Sequence, residues 1–357
     1  MRLALSEGLH TKMQGESFTE LYVQRCRNIW WTVYILDRQM SSLMGVPMTI
    51  TDDEISAYLP AYSGSLQKTQ ALELNVKLSS IISQIQNSVY GSEGRLNRKY
   101  IKNTKRVLKQ IAGITDQLKV SFDFPPSGSA TGISRIAAHL QILHHQCVVL
   151  ATRPLLFSLL KKRLDNLEEM SINTGSTRTL LQMCVESSQH ILAVLERLRE
   201  QHLLENFLPF DVDATFVAGT VLLIAPLVDS DILSSISPWA EMTYLIFDDL
   251  CAQGLLQAEA RKGELEQIQM IFMQMPHQSQ PDLGHGAQGT SMSTQNVMLT
   301  SGIDGDISNV DYEFIEDALW RTTFTADHLM NVADTLDLDG IDWMTTGSTS
   351  ATHEGDV

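Results

Sequence analysis

Two groups of acidic residues could bind a divalent cation, namely Asp52-Asp53-Glu54 and Asp248-Asp249. Carboxylates grouped in this way hold Mg²⁺ around a diphosphate in all-α terpene synthases. Here, however, Ser56 stands where the D-D-x-x-D pattern needs a third carboxylate, and no second metal motif follows downstream. Thr51 and Glu54 instead fit a helix capping box, which places the two aspartates at the positive end of the helix dipole. We therefore expect structural carboxylates here and no metal site.

Three histidines, His139, His144 and His145, fall in one predicted helix. The five-residue step between the first two turns their imidazoles apart, and no H-E-x-x-H pattern accompanies them. The sequence also contains no G-x-S-x-G, G-x-x-x-x-G-K-[ST] or strand-associated G-x-G-x-x-G motif. The four cysteines are far apart and form no C-x-x-C pair, which argues against a disulfide scaffold and a structural zinc site. We predict no enzyme activity, no cofactor and histidines that are ordinary core or surface residues.

The elements that position these residues are helical almost throughout residues 1 to 275. Apolar side chains recur there every three or four positions, and strict alternation over four or more residues is hard to find. The hydrophobic content of 43% is sufficient to bury a large core. The predicted fold class is all-α, with a single large helical domain of about eight helices followed by a disordered acidic tail. The predicted helices cover residues 17–44, 66–88, 95–120, 133–163, 177–203, 212–228, 237–254 and 258–274.

The run from Ala214 to Val228 is the longest apolar stretch of the chain. Its 15 residues fall short of the ~18 to 20 that cross a bilayer. It also contains two threonines and Pro226. We interpret it as a core helix and expect no membrane association.

The first full helix carries a wide apolar stripe, which predicts that it is largely buried. Asp37 lies at the edge of this stripe, where an unpaired carboxylate would be costly. We therefore expect Asp37 to have an ion-pair or hydrogen-bond partner, and Arg153 is one candidate. Pro154 falls inside a later predicted helix, which it should kink or break because proline has no backbone N–H to donate.

Basic residues recur every three or four positions along the helix predicted at 95–120. Such a stripe could contact phosphates or serve as an import signal, although solvated basic faces are common. Its members are Arg95, Arg98, Lys99, Lys102, Lys105, Arg106 and Lys109.

Most of the negative charge lies in the C-terminal tail. The chain has a net charge of −16, of which residues 277 to 357 contribute −13, with Arg321 as their one basic residue. Residues 276 to 305 are rich in Pro, Gly, Ser, Gln and Thr, which predicts a disordered linker. In residues 306 to 357 bulky apolar side chains are interleaved with acids, as is typical of an activation segment that folds onto the groove of a partner. The alternative is a frayed helix that packs back on the domain. The candidate activation segment comprises Phe314, Leu319, Trp320, Phe324, Leu336, Leu338 and Trp343.

The run from Cys26 to Met48, followed by Ile50, Asp52, Asp53, Ile55 and Leu59-Pro60, resembles the middle homology region of fungal zinc-cluster transcription factors. Upstream, the run from Ala4 to His10 is similar to the family's Ala-x-x-x-Gly-Leu-His helix end, and Thr152-Arg153-Pro154 resembles its later Arg-Pro helix. Val46 departs from the family, which usually has arginine between the glycine and the proline. The resemblance implies a structural role for the motif residues Trp30, Trp31, Asp37, Arg38, Gly45, Pro47, Pro60, Arg153 and Pro154.

The resemblance implies the regulatory and effector part of a nuclear transcription regulator. The family's six-cysteine cluster, which binds two zinc ions, and its dimerising coiled coil are not found in this sequence. Either a truncated gene model or a naturally shortened regulator would explain this. The expected partners are transcription machinery or a coactivator through the acidic tail, and a zinc-cluster factor as dimer partner, with DNA contacted only indirectly. The alternatives are a small-molecule-sensing helical domain, a dominant inhibitor of full-length relatives and, least favoured, an all-α enzyme.

Overall fold

The computed structural model describes residues 1–13, 18–62, 64–90, 98–124, 132–164, 175–233, 236–274 and 325–336. These residues form α-helices joined by turns, with one 3-10 turn and no β-strand among them. The all-α fold predicted from the sequence is confirmed. The helices are α1 (Arg2–Ser6), α2 (Glu20–Met44), α3 (Leu66–Ser88), α4 (Arg98–Phe122), α5 (Arg135–Leu164), α6 (Gly175–Glu200), α7 (Phe210–Val228), α8 (Ser237–Ala252), α9 (Leu256–Met273) and α10 (Ala326–Thr335), and the 3-10 turn is Asp52–Glu54.

Local sequence sets both ends of α2. Thr19 is its N-cap residue, and the Thr19 side-chain oxygen accepts a hydrogen bond from the Tyr22 N–H at 3.4 Å. Gly45 ends the helix with a φ of 65°, a left-handed conformation that favours glycine. The end predicted before Gly45 is confirmed, whereas the helix begins at Glu20 rather than at Ser17, which lies outside the described residues.

The main core lies among α3 to α9, with α5 and α6 at its centre. Both central helices bury side chains around most of their circumference, as expected for helices that other helices surround. Cys147 and Cys184 belong to this core, and burial raises the pKa of both thiols. A smaller, separate cluster forms around Trp30, where α1 and α2 meet the segment that follows α2.

Helix α7 is long and apolar enough to cross a membrane by length and composition alone. However, 67% of its most apolar 18-residue stretch is buried inside the structure. A Cβ atom at Gly219 would lie 2.7 Å from Thr243 Cγ2 and 3.3 Å from Leu265, so α8 and α9 approach the α7 backbone closely. This is the arrangement of a core helix, as the sequence predicts.

Helix α5 continues through Pro154 instead of breaking there. The proline has no N–H, which leaves the carbonyl of Leu150 without its helical donor. The Tyr90 hydroxyl donates to that carbonyl at 2.9 Å, and the Tyr100 hydroxyl donates to the neighbouring carbonyl of Ala151 at 3.0 Å. Two tyrosines therefore supply the backbone acceptors around Pro154 with donors, and the helix persists.

Candidate functional site: the tail helix on the helical body

Trp30 and Trp31 hold together the smaller core. Trp30 is fully buried, and its ring centroid lies 5.7 Å from that of His10, in the turn after α1. Trp31 is also buried, and its Nε1 donates to the carbonyl of Tyr58 at 3.0 Å. The carbonyl of His10 accepts a hydrogen bond from the Ser56 N–H at 2.9 Å. The two indoles and this bond keep the segment after the 3-10 turn against α1 and α2.

Arg38 is a fully buried cation where α2, the 3-10 turn and α3 meet. Its guanidinium nitrogens lie 2.9 Å from Asp37 Oδ2 and 2.7 Å from Asp52 Oδ1, and its Cζ lies 4.3 Å from the ring centroid of Tyr34. Asp52 also accepts hydrogen bonds from the Tyr34 hydroxyl at 3.0 Å and from the Ser80 hydroxyl at 2.7 Å. Burial disfavours the charge on Arg38, but the contacts with the two carboxylates outweigh burial and raise its pKa. The network links three elements and fixes their relative positions.

Asp37 has partners, as the sequence predicts, but Arg153 is not one of them. Asp37 Oδ1 accepts a hydrogen bond from the Thr49 hydroxyl at 2.6 Å, and Asp37 Oδ2 pairs with Arg38. Arg153 Nε instead donates to the Tyr90 hydroxyl at 2.8 Å. The arginine that pairs with Asp37 is its neighbour in sequence, Arg38. The contact with Thr49 could not be predicted, because Thr49 reaches Asp37 only after the chain turns back at Gly45.

The corner between Gly45 and Pro47 is fixed by backbone groups and by one glutamine of α3. Gln86 Nε2 donates to the carbonyl of Val46 at 2.7 Å and to the carbonyl of Ser41 at 3.3 Å. The Val46 side chain and Pro47 are exposed, whereas Pro60 is buried. The corner thus forms without the arginine that the family usually has at position 46.

The acidic groups have structural partners. The Thr51 N–H donates to Glu54 Oε2 at 3.1 Å, which confirms the predicted capping box, although this box caps a 3-10 turn. Asp248 pairs with Lys262 at 2.6 Å. Among the described residues, no three His, Cys, Asp or Glu side chains are grouped closely enough to hold a metal ion.

His144 and His145 are core residues, as the sequence predicts. His144 Nε2 lies 3.1 Å from the Thr115 hydroxyl, and the His145 ring stacks on that of His190 with centroids 4.6 Å apart. Burial lowers the pKa of His144 to about 4 and that of His190 to about 3. These histidines are neutral parts of the core at neutral pH.

Helix α10 packs on the body against α4 and α6. Its N-cap is Thr325, whose side-chain oxygen accepts a hydrogen bond from the His328 N–H at 3.0 Å. One face of the helix is apolar and buried in the contact, a helix-in-groove arrangement. This face consists of Leu329, Val332, Ala333 and Leu336. The part of the tail that the structure describes is therefore a helix packed back on the domain, the alternative that the sequence left open.

Polar contacts concentrate at the C-terminal end of α10. Lys109 Nζ lies 2.7 Å from Asp334 Oδ1, and Lys105 Nζ donates to the Asp334 carbonyl at 3.4 Å. The Ser176 hydroxyl donates to the Thr335 carbonyl at 2.9 Å. The last carbonyls of a helix lack helical donors and carry partial negative charge, so two lysines and a hydroxyl complement them. The hydrogen bond from Lys109 also lowers the pKa of Asp334.

Part of the predicted basic stripe is therefore a contact surface for the tail. Lys105 and Lys109, one helical turn apart, contact α10, whereas Lys102 and Arg106 of the same helix are exposed. Arg95 and the side chain of Arg98 lie outside the described residues.

Of the apolar residues assigned to the activation segment, Leu336 is described and is buried on the body. The predicted linker at 276–305 and the remaining members of the segment lie outside the described residues, and for them the assignment stays a prediction. Those members are Phe314, Leu319, Trp320, Phe324, Leu338 and Trp343.

Residues 1–122 match the family model for the fungal specific transcription factor domain. This range ends with α4, so it contains the tryptophan core, the Arg38 network and the helix that carries the two lysines. The first 122 residues are therefore similar to a fungal specific transcription factor domain.

The chain is also similar to transcriptional regulatory proteins of Schizosaccharomyces pombe. An uncharacterized transcriptional regulatory protein is 22% identical over 233 residues, which cover 62% of this chain and 28% of that protein. The thiamine repressible genes regulatory protein is 21% identical over 231 residues, which cover 63% of this chain and 29% of that protein. Another uncharacterized transcriptional regulatory protein is 28% identical over 167 residues, or 44% of this chain and 20% of that protein. The matches thus span less than a third of each relative, and no solved structure matches the chain.

Within the fungal specific transcription factor domain, the motif residues described above make packing contacts and internal ion pairs. The domain also supplies, through α4, one side of the groove that holds α10. The matched family and the helical fold argue against an enzyme.

Proposed function

We propose that this chain is the regulatory and effector part of a fungal transcription regulator, which controls RNA polymerase II transcription by recruiting partners in the nucleus. The observation that carries the proposal is the fungal specific transcription factor domain over residues 1–122, whose relatives are transcriptional regulatory proteins. The proposal includes no enzyme activity and no cofactor in this chain.

The tail is the proposed effector, and its partner is the transcription machinery or a coactivator with an apolar groove. Acids keep the bulky side chains of residues 306 to 357 in water until such a groove takes them up. The apolar face of α10 lies inside this range and is buried on the body. A partner that binds this face must therefore displace the body from α10. Packing of α10 on the body and binding of α10 to the partner compete.

Contact with DNA is proposed to be indirect. The net charge of −16 gives the chain no basic surplus for binding nucleic acid on its own. A zinc-cluster factor that pairs with this chain would supply the DNA-reading module, and no membrane takes part.

A reporter assay tests the effector role of the tail. Residues 306–346, fused to a heterologous DNA-binding domain, should activate transcription of the reporter. Replacing Trp320, Phe324 and Trp343 by alanine should reduce the output several-fold, because these side chains supply the contact area with the partner.

The matched control replaces three polar residues of the same segment, Ser308, Asn309 and Thr345, by alanine and should keep the parent output. Equal output from the parent and from the triple aromatic variant would contradict the effector assignment.

A further inference from the structure

A cavity of about 200 Å³ lies between the C-terminal part of α2 and helices α5, α7 and α9. One face of α5 forms a whole wall of it, because the residues that line the cavity follow one another by three or four positions. Those residues are His139, Ile142, Leu143, Gln146, Leu150 and Arg153. Phe210 and Phe216 of α7 add aromatic surface to the lining. The cavity is outside the α10 groove and outside the Arg38 network.

Four charged side chains line this cavity, namely Arg153 of α5, Asp211 and Asp213 of α7 and Arg261 of α9. Asp211 is already paired with Arg135 at 2.8 Å. Asp213 makes no side-chain hydrogen bond and no ion pair with any residue in the described ranges. Burial raises the pKa of Asp213 to about 6, although both arginines favour its charged form. Asp213 is half-buried. A carboxylate partly withdrawn from water without a direct partner is costly, so the site has an unmet electrostatic requirement.

The two arginines are held in place by contacts away from Asp213. Arg153 Nε donates to the Tyr90 hydroxyl at 2.8 Å. Arg261 pairs with Glu264 at 2.6 Å, and its Cζ lies 4.7 Å from the ring centroid of Phe216. The cavity therefore presents two guanidinium groups and, besides the paired Asp211, the carboxylate of Asp213, together with apolar lining residues. An arginine fork is suited to binding a carboxylate.

We propose that this cavity is a binding site for a small zwitterion, a molecule of the class of the free α-amino acids. Its carboxylate faces Arg153 and Arg261, its ammonium group faces Asp213, and its side chain lies against Phe210 and Phe216. Each charge of the ligand then meets a protein charge of opposite sign, which offsets the cost of burying both. The small volume restricts the ligand to a compact metabolite, since drug-sized ligands occupy about 300 to 1,000 Å³.

The proposed binding site does not depend on the proposed effector role of the tail, because its test measures ligand binding to the protein itself. The melting temperature of the full chain is recorded with each of the twenty L-amino acids, and a compound that shifts it is titrated calorimetrically. Propionate and ethylammonium, which each carry one of the two charged groups, serve as half-ligand probes. The proposal expects at least one amino acid to raise the melting temperature, and both half-ligand probes to leave it unchanged.

Asp213→Asn is the decisive variant, because it keeps the shape of the side chain and removes the charge. Without ligand its melting temperature should equal or exceed that of the parent, since a half-buried charge without a direct partner is removed. It should bind the amino acid at least tenfold more weakly, as should Arg261→Ala. Asp231→Asn, on the exposed turn after α7, should bind like the parent.

Three results would overturn the proposal. They are a panel without any shift in melting temperature, a shift that propionate or ethylammonium alone reproduces, and undiminished binding by Asp213→Asn.

Discussion

At the scale of single residues, Arg38 is the buried charge on which the tryptophan-bearing part of the fold depends. A buried ion pair adds little net stability over an apolar packing, but removing one partner leaves the other charge without compensation. Asp52 is the residue that joins Arg38, Tyr34 and Ser80, which come from α2 and α3. Its loss should therefore affect the contact between these helices.

Asp52→Asn should lower the free energy of unfolding by about 2 kcal/mol, because the amide removes the negative charge that compensates Arg38. Asp53→Asn is the matched control, since Asp53 lies in the same 3-10 turn and is exposed. It should change stability by less than about 0.5 kcal/mol. Urea unfolding of the three proteins measures both effects, and equal free energies for the two variants would refute the role given to Asp52.

The sequence predicts some of these residue roles but not their partners. Asp37 is predicted to need a partner because it lies at the edge of an apolar stripe, and the structure confirms this need. Trp30, Tyr34 and Arg38 follow one another at four-residue steps, so one buried face should contain all three, a signal that could have located Arg38 in the core. Thr49 and Asp52 could not be predicted as the partners of Asp37 and Arg38, because the path of the chain after α2 determines which residues come near those two side chains.

At the scale of elements, the helices could be predicted well from apolar periodicity. The helix predicted at 66–88 is α3, with identical bounds, and the helix predicted at 133–163 is α5 within two residues at each end. Such helices repeat their apolar residues over many turns, so the pattern locates them. The sequence predicts a kink or a break at Pro154, and the helix does not break there. The periodicity could not show this, because the donor that replaces the missing N–H is the Tyr90 hydroxyl of another segment.

The contact between α4, α5 and α6 should make stability depend on pH. His144 has a pKa of about 4 in the folded protein, against its ordinary value of 6.5, because it is buried. The unfolded chain therefore binds the proton more readily, and stability is lost as the pH falls from about 6.5 towards 4. Lys119 adds to this effect, since its charge further disfavours protonation. At pH 5 the contribution of His144 alone should be a loss of about 2 kcal/mol.

Urea unfolding at pH 7, 6 and 5 measures this loss. His144→Gln should show a shallower decline than the parent, because the amide does not titrate but can still hydrogen-bond to Thr115. The exposed His202 provides the control, and His202→Asn should follow the parent. A decline in His144→Gln as steep as in the parent would contradict the assignment.

At the scale of the whole molecule, a helical body holds part of its own acidic tail. Lys105 and Asp334 are 229 positions apart in the chain, so local periodicity could not predict that they meet. The sequence did contain two signals, a basic stripe on α4 and an acidic tail with apolar residues. It could not show that two lysines of the stripe accept the tail helix, nor could it show the cavity, because both depend on how helices distant in sequence pack.

The central claim is that this body restrains the effector tail of a transcription regulator. Its most direct test is the reporter output of the complete chain fused to a heterologous DNA-binding domain, with the tail sequence unchanged. Lys105→Glu combined with Lys109→Glu replaces the attraction for Asp334 by repulsion and should release α10. Lys102→Glu combined with Arg106→Glu makes the same change in net charge at exposed positions of the same helix. We predict higher output from the first pair than from the parent and parent-like output from the second, whereas equal output from both pairs would contradict the claim.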